Sequence, residues 1–142
     1  MSTPRPRVLV VDDDAAHRRM LHALLTDLDA DVDCAADGRE ALDRIATRMP
    51  DLVLLDMRMP GLDGLGTLAA MRGAGFAPPT IVLTAHADLD DAVTAMKLGA
   101  ADYLRKPIDI ASLQALLDGH LGRQRPANDE RRPELPQDVL VE

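Results

Sequence analysis

Leu52-Val53-Leu54-Leu55-Asp56-Met57-Arg58-Met59-Pro60-Gly61-Leu62-Asp63-Gly64 is the stretch that sets the frame for the chain. Four consecutive apolar residues run into one carboxylate, and Pro60, Gly61 and Gly64 turn the chain at once. A short apolar run bounded by turn residues predicts a strand buried on both faces, as in a parallel sheet. Asp56 then stands at the strand's carboxyl end, the edge where open α/β sheets bind ligands. A second run has the same form: Val8-Leu9-Val10-Val11 leads into Asp12-Asp13-Asp14. If the two strands are parallel neighbours, Asp12, Asp13 and Asp56 converge. Such a cluster repels itself unless a cation is held there. The combination points to a magnesium site beside an aspartate that accepts a phosphoryl group.

Working outward, the chain alternates strands with helices. After the first strand, Met20, Leu21, Leu24, Leu25 and Leu28 recur at helical spacing, and Asp14 lies where a carboxylate caps a helix start. Val32 to Ala35 alternates with Asp31 and Asp33, which predicts an edge strand with one wetter face. Asp37-Gly38 is a turn into a second helix facing inward with Ala41, Leu42 and Ile45. After the third strand a helix begins near Gly64-Leu65, with Leu65, Leu68 and Met71 inward, and Gly73, Gly75, Pro78 and Pro79 break it. Thr80 to Thr84 is a fourth strand. A fourth helix runs from about Asp90 to Leu98 and stops at Gly99. A fifth strand spans about Asp102 to Arg105. Lys106-Pro107 turns into a fifth helix presenting Ile110, Leu113, Leu116, Leu117 and Leu121. Five strands alternating with five helices over short connections imply right-handed crossovers and a doubly wound parallel sheet.

Composition narrows the function classes. At 142 residues the chain makes one ordinary domain. Apolar residues are 46% and aromatic residues 1%, so the core is aliphatic and Met-based. A net charge of −8 and a pI near 4.9 argue against a nucleic-acid surface within these residues. The single cysteine, Cys34, rules out an intramolecular disulfide framework and reads as a buried thiol. No apolar run is long enough for a membrane span, and Met1 to Arg7 has no signal-peptide core, so the expectation is a cytoplasmic protein with no membrane partner.

Each strand end on the ligand side delivers a polar residue: Asp12 and Asp13, then Asp56, then Thr84, then Lys106. Phosphoryl transfer to a carboxylate needs these types. The nucleophile must be ionised, and Asp56 is the isolated carboxylate. Magnesium prefers oxygen ligands and keeps several waters. Lysine supplies a fixed positive charge to a phosphate oxygen and threonine a hydroxyl donor. Singly, each residue has a plainer reading: Asp12-Asp13-Asp14 as a solvated helix start, Thr84 as a strand end, Lys106 as a surface lysine. His17, His22 and His120 have no ligand spacing to one another and read as surface or helix-end residues. The conjunction at one sheet edge carries the functional reading.

Order and flanking residues also match a family. Val8-Leu-Val-Val-Asp-Asp-Asp14, Leu55-Asp-Met-Arg-Met-Pro-Gly-Leu-Asp-Gly64, Ile81-Val-Leu-Thr-Ala-His86 and Gly99-Ala-Ala-Asp-Tyr-Leu-Arg-Lys-Pro107 resemble the receiver domain of bacterial two-component response regulators. The resemblance covers about residues 7 to 121. It implies a flavodoxin-like (βα)5 fold with strand order 2-1-3-4-5. It implies that Asp56 is the phosphoacceptor for a sensor histidine kinase, with Asp13, Asp56 and the backbone carbonyl of Arg58 ligating Mg2+ and Asp12 acting through water. Lys106, with a cis bond to Pro107, and Thr84 would bind the phosphate, and Thr84 and Tyr103 would form the switch pair. The fourth helix, fifth strand and fifth helix would be the output surface, through which phosphorylation drives homodimerisation. Ala15, Ala16 and Arg19 would contact the kinase. Arg58 and His86, two residues beyond the phosphoacceptor and the switch threonine, would tune phosphoryl lifetime. Where family members often have glycine between the first helix and second strand, this chain has Asp29-Ala30.

Thr84-Ala85-His86-Ala87-Asp88-Leu89-Asp90 and Lys106-Pro107-Ile108-Asp109 are most similar to the nitrogen-regulatory type, which activates transcription with an alternative sigma factor. Contact with DNA or sigma-factor machinery would come only through an output domain outside these residues. The division expected is a receiver over residues 1–121 and a charged linker over 122–142, whose terminal Leu135 and Val139-Leu140-Val141 hint at a following domain. The alternatives are a stand-alone receiver, a degenerate interaction module and an aspartyl-nucleophile phosphohydrolase. The last usually places a second aspartate where Arg58 stands. The chain is read as a switch, not an enzyme, beyond self-phosphorylation from small phosphodonors and self-dephosphorylation.

Overall fold

The structure, a computed structural model, describes residues 5–85 and 89–121. The roles given to His86 and to the segment after residue 121 lie outside the described residues. In chain order the elements are β1 (Arg7–Val11), α1 (Ala15–Asp27), β2 (Asp31–Ala35), α2 (Gly38–Thr47), β3 (Leu52–Asp56), α3 (Gly64–Gly73), β4 (Thr80–Thr84), α4 (Leu89–Lys97), β5 (Asp102–Arg105) and α5 (Ile110–Leu121). All strand pairs are parallel and the order is β2-β1-β3-β4-β5, the expected flavodoxin-like arrangement.

Strand alternation divides the core into two layers. Leu9, Val11, Val53, Leu55 and Val82 pack with Ala41 and Ile45 of α2, Leu68 and Met71 of α3 and Ala95 of α4. Val8, Val10, Leu52, Leu54, Ile81 and Leu83 pack with Leu21 and Leu25 of α1 and Leu113 and Leu117 of α5. β3 and β4 are buried along their whole length, whereas the edge strand β2 alternates exposed and half-buried residues before Ala35. Truncating a fully buried leucine of β3 such as Leu54 costs about 2–5 kcal/mol.

Helix starts are capped as the sequence dictates. Asp14 accepts the main-chain N–H groups of Ala16 and His17, Asp37 that of Glu40, and Asp63 that of Gly66. Two inward assignments are corrected. Met20 is 40% exposed and Ile110 47% exposed. The buried stripes of α1 and α5 are the narrow i, i+4 pairs Leu21/Leu25 and Leu113/Leu117. Met20 falls off the side of the first stripe, and Ile110 precedes the second by most of a turn. Asp29 takes the glycine-favouring φ of +66° between α1 and β2, a conformation that aspartate tolerates better than most residues.

Candidate functional site

The sheet ladder continues one residue past β1, β3 and β5 at the carboxyl edge. Asp12 donates its N–H to Ala35 (3.1 Å), Met57 to Leu83 (3.1 Å) and Lys106 to Thr84 (2.8 Å). The functional residues therefore hang from a rigid lattice. Asp12 shares the alternation of Val8 and Val10, and Asp56 that of Leu52 and Leu54, so both carboxylates belong to the α1/α5 side.

Asp12, Asp13 and Asp56 each bring a carboxylate oxygen within 4.8 Å of the others. Asp12 and Asp56 are buried, at 1% and 3% exposure, and Asp13 is exposed. Lys106 Nζ donates to Asp56 Oδ1 at 2.9 Å, and the main-chain N–H of Arg58 reaches the same oxygen at 3.4 Å. Burial pushes the Asp56 carboxyl above its ordinary range. The Lys106 hydrogen bond opposes that rise and the neighbouring Asp12 adds to it. Two buried acids and a third at the rim, faced by one lysine, form an oxygen-only donor set. That set fits a hard divalent cation such as Mg2+.

The other expected residues surround this centre. Thr84 is buried at the end of β4, its hydroxyl donating to the Ala85 carbonyl at 3.1 Å. The Lys106-Pro107 peptide is cis, as the resemblance implied. Tyr103 on β5 is 37% exposed, and the Arg58 side chain is exposed. Ala15, Ala16 and Arg19 lie exposed on the first turns of α1. Ala15 and Arg19, with Arg18, His22 and Cys34, line a surface cavity of about 380 Å3. Cys34 is half-buried, and that burial raises its thiol above the ordinary value, so it is a poor nucleophile.

Residues 8–118 match the family described as the response regulator receiver domain. The chain belongs to that family. Receivers are phosphorylation-dependent switches that interact with sensor histidine kinases and generally hold Mg2+ in an acidic pocket. This receiver is 43% identical over 111 residues to the transcriptional regulatory protein ZraR of Escherichia coli (strain K12), across 78% of this chain and 25% of that protein. It is 42% identical over 123 residues to the DNA-binding transcriptional regulator NtrC of Klebsiella pneumoniae, across 84% of this chain and 26% of that one. The chain thus spans about a quarter of the length of these two relatives. The solved receiver domain of NtrX from Brucella abortus superposes with a TM-score of 0.77 at 32% identity, covering 81% of this chain and 98% of that one. Among the described residues no helix is long and apolar enough to cross a membrane.

Sequence reasoning missed one contact. His17, in the first turn of α1, is no bystander at a helix end: it turns its Nδ1 onto Asp12 Oδ2. Alternation in β1 was the available signal, since it aims Asp12 at the helix that carries His17. His120 lies in the last turn of α5, as expected, with its Nε2 3.4 Å from Asp102 Oδ2.

Proposed function

We propose that Asp56 is the phosphoacceptor of this receiver. An Asp56 carboxylate oxygen attacks the phosphorus of a phosphohistidine on a sensor kinase. The P–N bond breaks, the imidazole leaves, and Asp56 carries an acyl phosphate. The observation that carries this reading is the buried Asp56 held by Lys106 at 2.9 Å beside Asp12 and Asp13. Lys106 then follows the negative charge outward, from the carboxylate to a phosphoryl oxygen, and the Thr84 hydroxyl donates to another. Bound Mg2+, on Asp13, Asp56 and the Arg58 carbonyl with Asp12 acting through water, would neutralise phosphoryl charge.

The switch is a shift between two populations of one fold, biased by what the acyl phosphate contacts. Thr84 turning toward the phosphate would change the space that Tyr103 packs into. Val93, Met96, Leu98, Tyr103 and Ile110 are exposed on or beside α4, β5 and α5, which supports that face as the surface for homodimerisation and output. The exposed Ala15, Ala16 and Arg19 support α1 as the kinase contact, and the exposed Arg58 side chain supports a part in acyl-phosphate lifetime. His86 shares that proposed part. Likeness to ZraR and NtrC supports transcription activation as the output, through domains outside this chain.

The test is intact-mass spectrometry after incubation with acetyl phosphate, with and without Mg2+. The expected result is one added phosphoryl group that needs both Mg2+ and Asp56 and disappears in Asp56→Asn. A folded protein with no adduct, or an adduct retained in Asp56→Asn, overturns the reading.

A further inference from the structure

We infer that His17 is a positioning residue for the divalent-cation site, fixing the direction of the Asp12 carboxylate. The inference rests on the proposed Mg2+ reading of the acidic cluster and deepens it. Asp12 is gripped at four points. Its N–H donates to Ala35, its carbonyl accepts from Arg18 Nη1 at 2.7 Å, Oδ1 accepts the Asp14 N–H at 3.0 Å, and Oδ2 meets His17 Nδ1. The first two hold the main chain. Only the last two act on the carboxylate plane, and the terminal torsion of aspartate is broad, so the rotamer alone does not set that plane. Pinning both oxygens does.

A carboxylate can only accept, so the fitting tautomer of His17 carries its hydrogen on Nδ1. The ring is itself held in place. His17 sits in the first turn of α1 with its side chain 18% exposed, and its main-chain N–H donates to the capping Asp14 at 3.3 Å. Asp14 in turn gives its own N–H to Asp12. Residues 12, 14 and 17 therefore form one closed hydrogen-bonded unit, while a carboxylate oxygen of Asp12 stays within 4.8 Å of those of Asp13 and Asp56. His17 is a support and not a ligand, because the group of mutually close ligand atoms comprises Asp12, Asp13 and Asp56 and leaves it out. Asp12 would act on the ion through water, and hydrogen-bonding partners beyond a metal's own ligands typically govern 10–100-fold in affinity.

The test is calorimetric titration of Mg2+ and Mn2+ into the full chain, with thermal unfolding in EDTA as the folding control. We expect His17→Ala to weaken both ions by about tenfold or more while the EDTA melting temperature stays near wild type. His17→Asn, whose amide N–H occupies the place of Nδ1–H, should recover most of the loss. Should alanine leave the chain unfolded, His17→Leu, which keeps the bulk, carries the same comparison. Unchanged Mg2+ affinity in His17→Ala overturns the inference, as does failure of His17→Asn to recover it. A loss confined to Mn2+, the ion more tolerant of nitrogen donors, would make His17 a ligand and also overturn it. Absence of Mg2+ binding in the wild type would instead remove the cation reading itself, and this inference with it.

Discussion

The two ends of the sheet are built from the same residue types to opposite effect. At the amino end charges are matched. Arg48 lies 3.9 Å from Asp31, Arg44 binds Asp33 further along β2 at 2.7 Å, Asp51 accepts the Arg7 N–H at 2.8 Å, and the Arg7 guanidinium donates to the Met49 carbonyl. Several of these groups line a cavity of about 200 Å3 in which arginines and aspartates are mixed, with no crowding of like charge. At the carboxyl end three carboxylates crowd together, two of them buried, against one lysine and one imidazole. The first arrangement is settled within the chain. On the proposed reading the second would be completed from outside, by a cation and a phosphoryl group. Excess like charge held on a rigid ladder thus marks the working end, and matched pairs mark the end that only has to stay folded.

The sharpest way to break this contrast is through the backbone of the working end. A Cβ on Gly64 would lie 2.6 Å from the Asp56 carbonyl oxygen and 2.6 Å from Met57 Cα. Neither is a flexible side chain that can move aside. Gly64→Ala should cost about 1–3 kcal/mol in denaturant unfolding and lower the phosphorylation rate with it.

The next effect goes the other way. Asp56→Asn removes a buried charge and its repulsion with Asp12. Without divalent cation it should stabilise the fold at pH 7 by on the order of 1 kcal/mol, the scale of one like-charge contact at this range. Excess Mg2+ should erase or reverse the gain. The sign follows from linkage. Asp56 titrates above its ordinary range when folded and near ~3.9 when unfolded, so the folded state binds more protons between those values. Metal-free wild type should therefore lose stability as pH rises through that window, and Asp56→Asn should lose less.

The amino end predicts smaller changes. Asp29→Gly relieves the +66° backbone angle and should stabilise by about 0.5–1 kcal/mol in thermal unfolding. Arg48→Ala removes a pair whose side chains are 65% and 54% exposed and should change stability by less than about 0.5 kcal/mol. A large loss there would undo the contrast between the two ends.

Much of this contrast was legible in the sequence because it is written in strand ends. Apolar runs stopping at Asp12, Asp56 and Thr84 need only the parallel-sheet rule to bring those residues to one edge. Strand order was not legible from pattern alone, because every strand between two covered faces looks alike; it came with the family resemblance. The His17–Asp12 contact was hidden for a different reason. The two residues stand five apart across a bend from strand to helix, where neither a period of two nor one of 3.6 applies. Met20 and Ile110 were misread because apolar type alone does not tell the centre of a buried stripe from its margin.

The most direct test of the account is to locate the phosphoryl group. After phosphorylation with acetyl phosphate and Mg2+, borohydride reduces an aspartyl phosphate to homoserine, and tandem mass spectrometry of the peptides reads its position. The account predicts homoserine at position 56 alone, with Asp12 and Asp13 intact. Homoserine at position 12 or 13, or an adduct that survives borohydride unchanged, would contradict it.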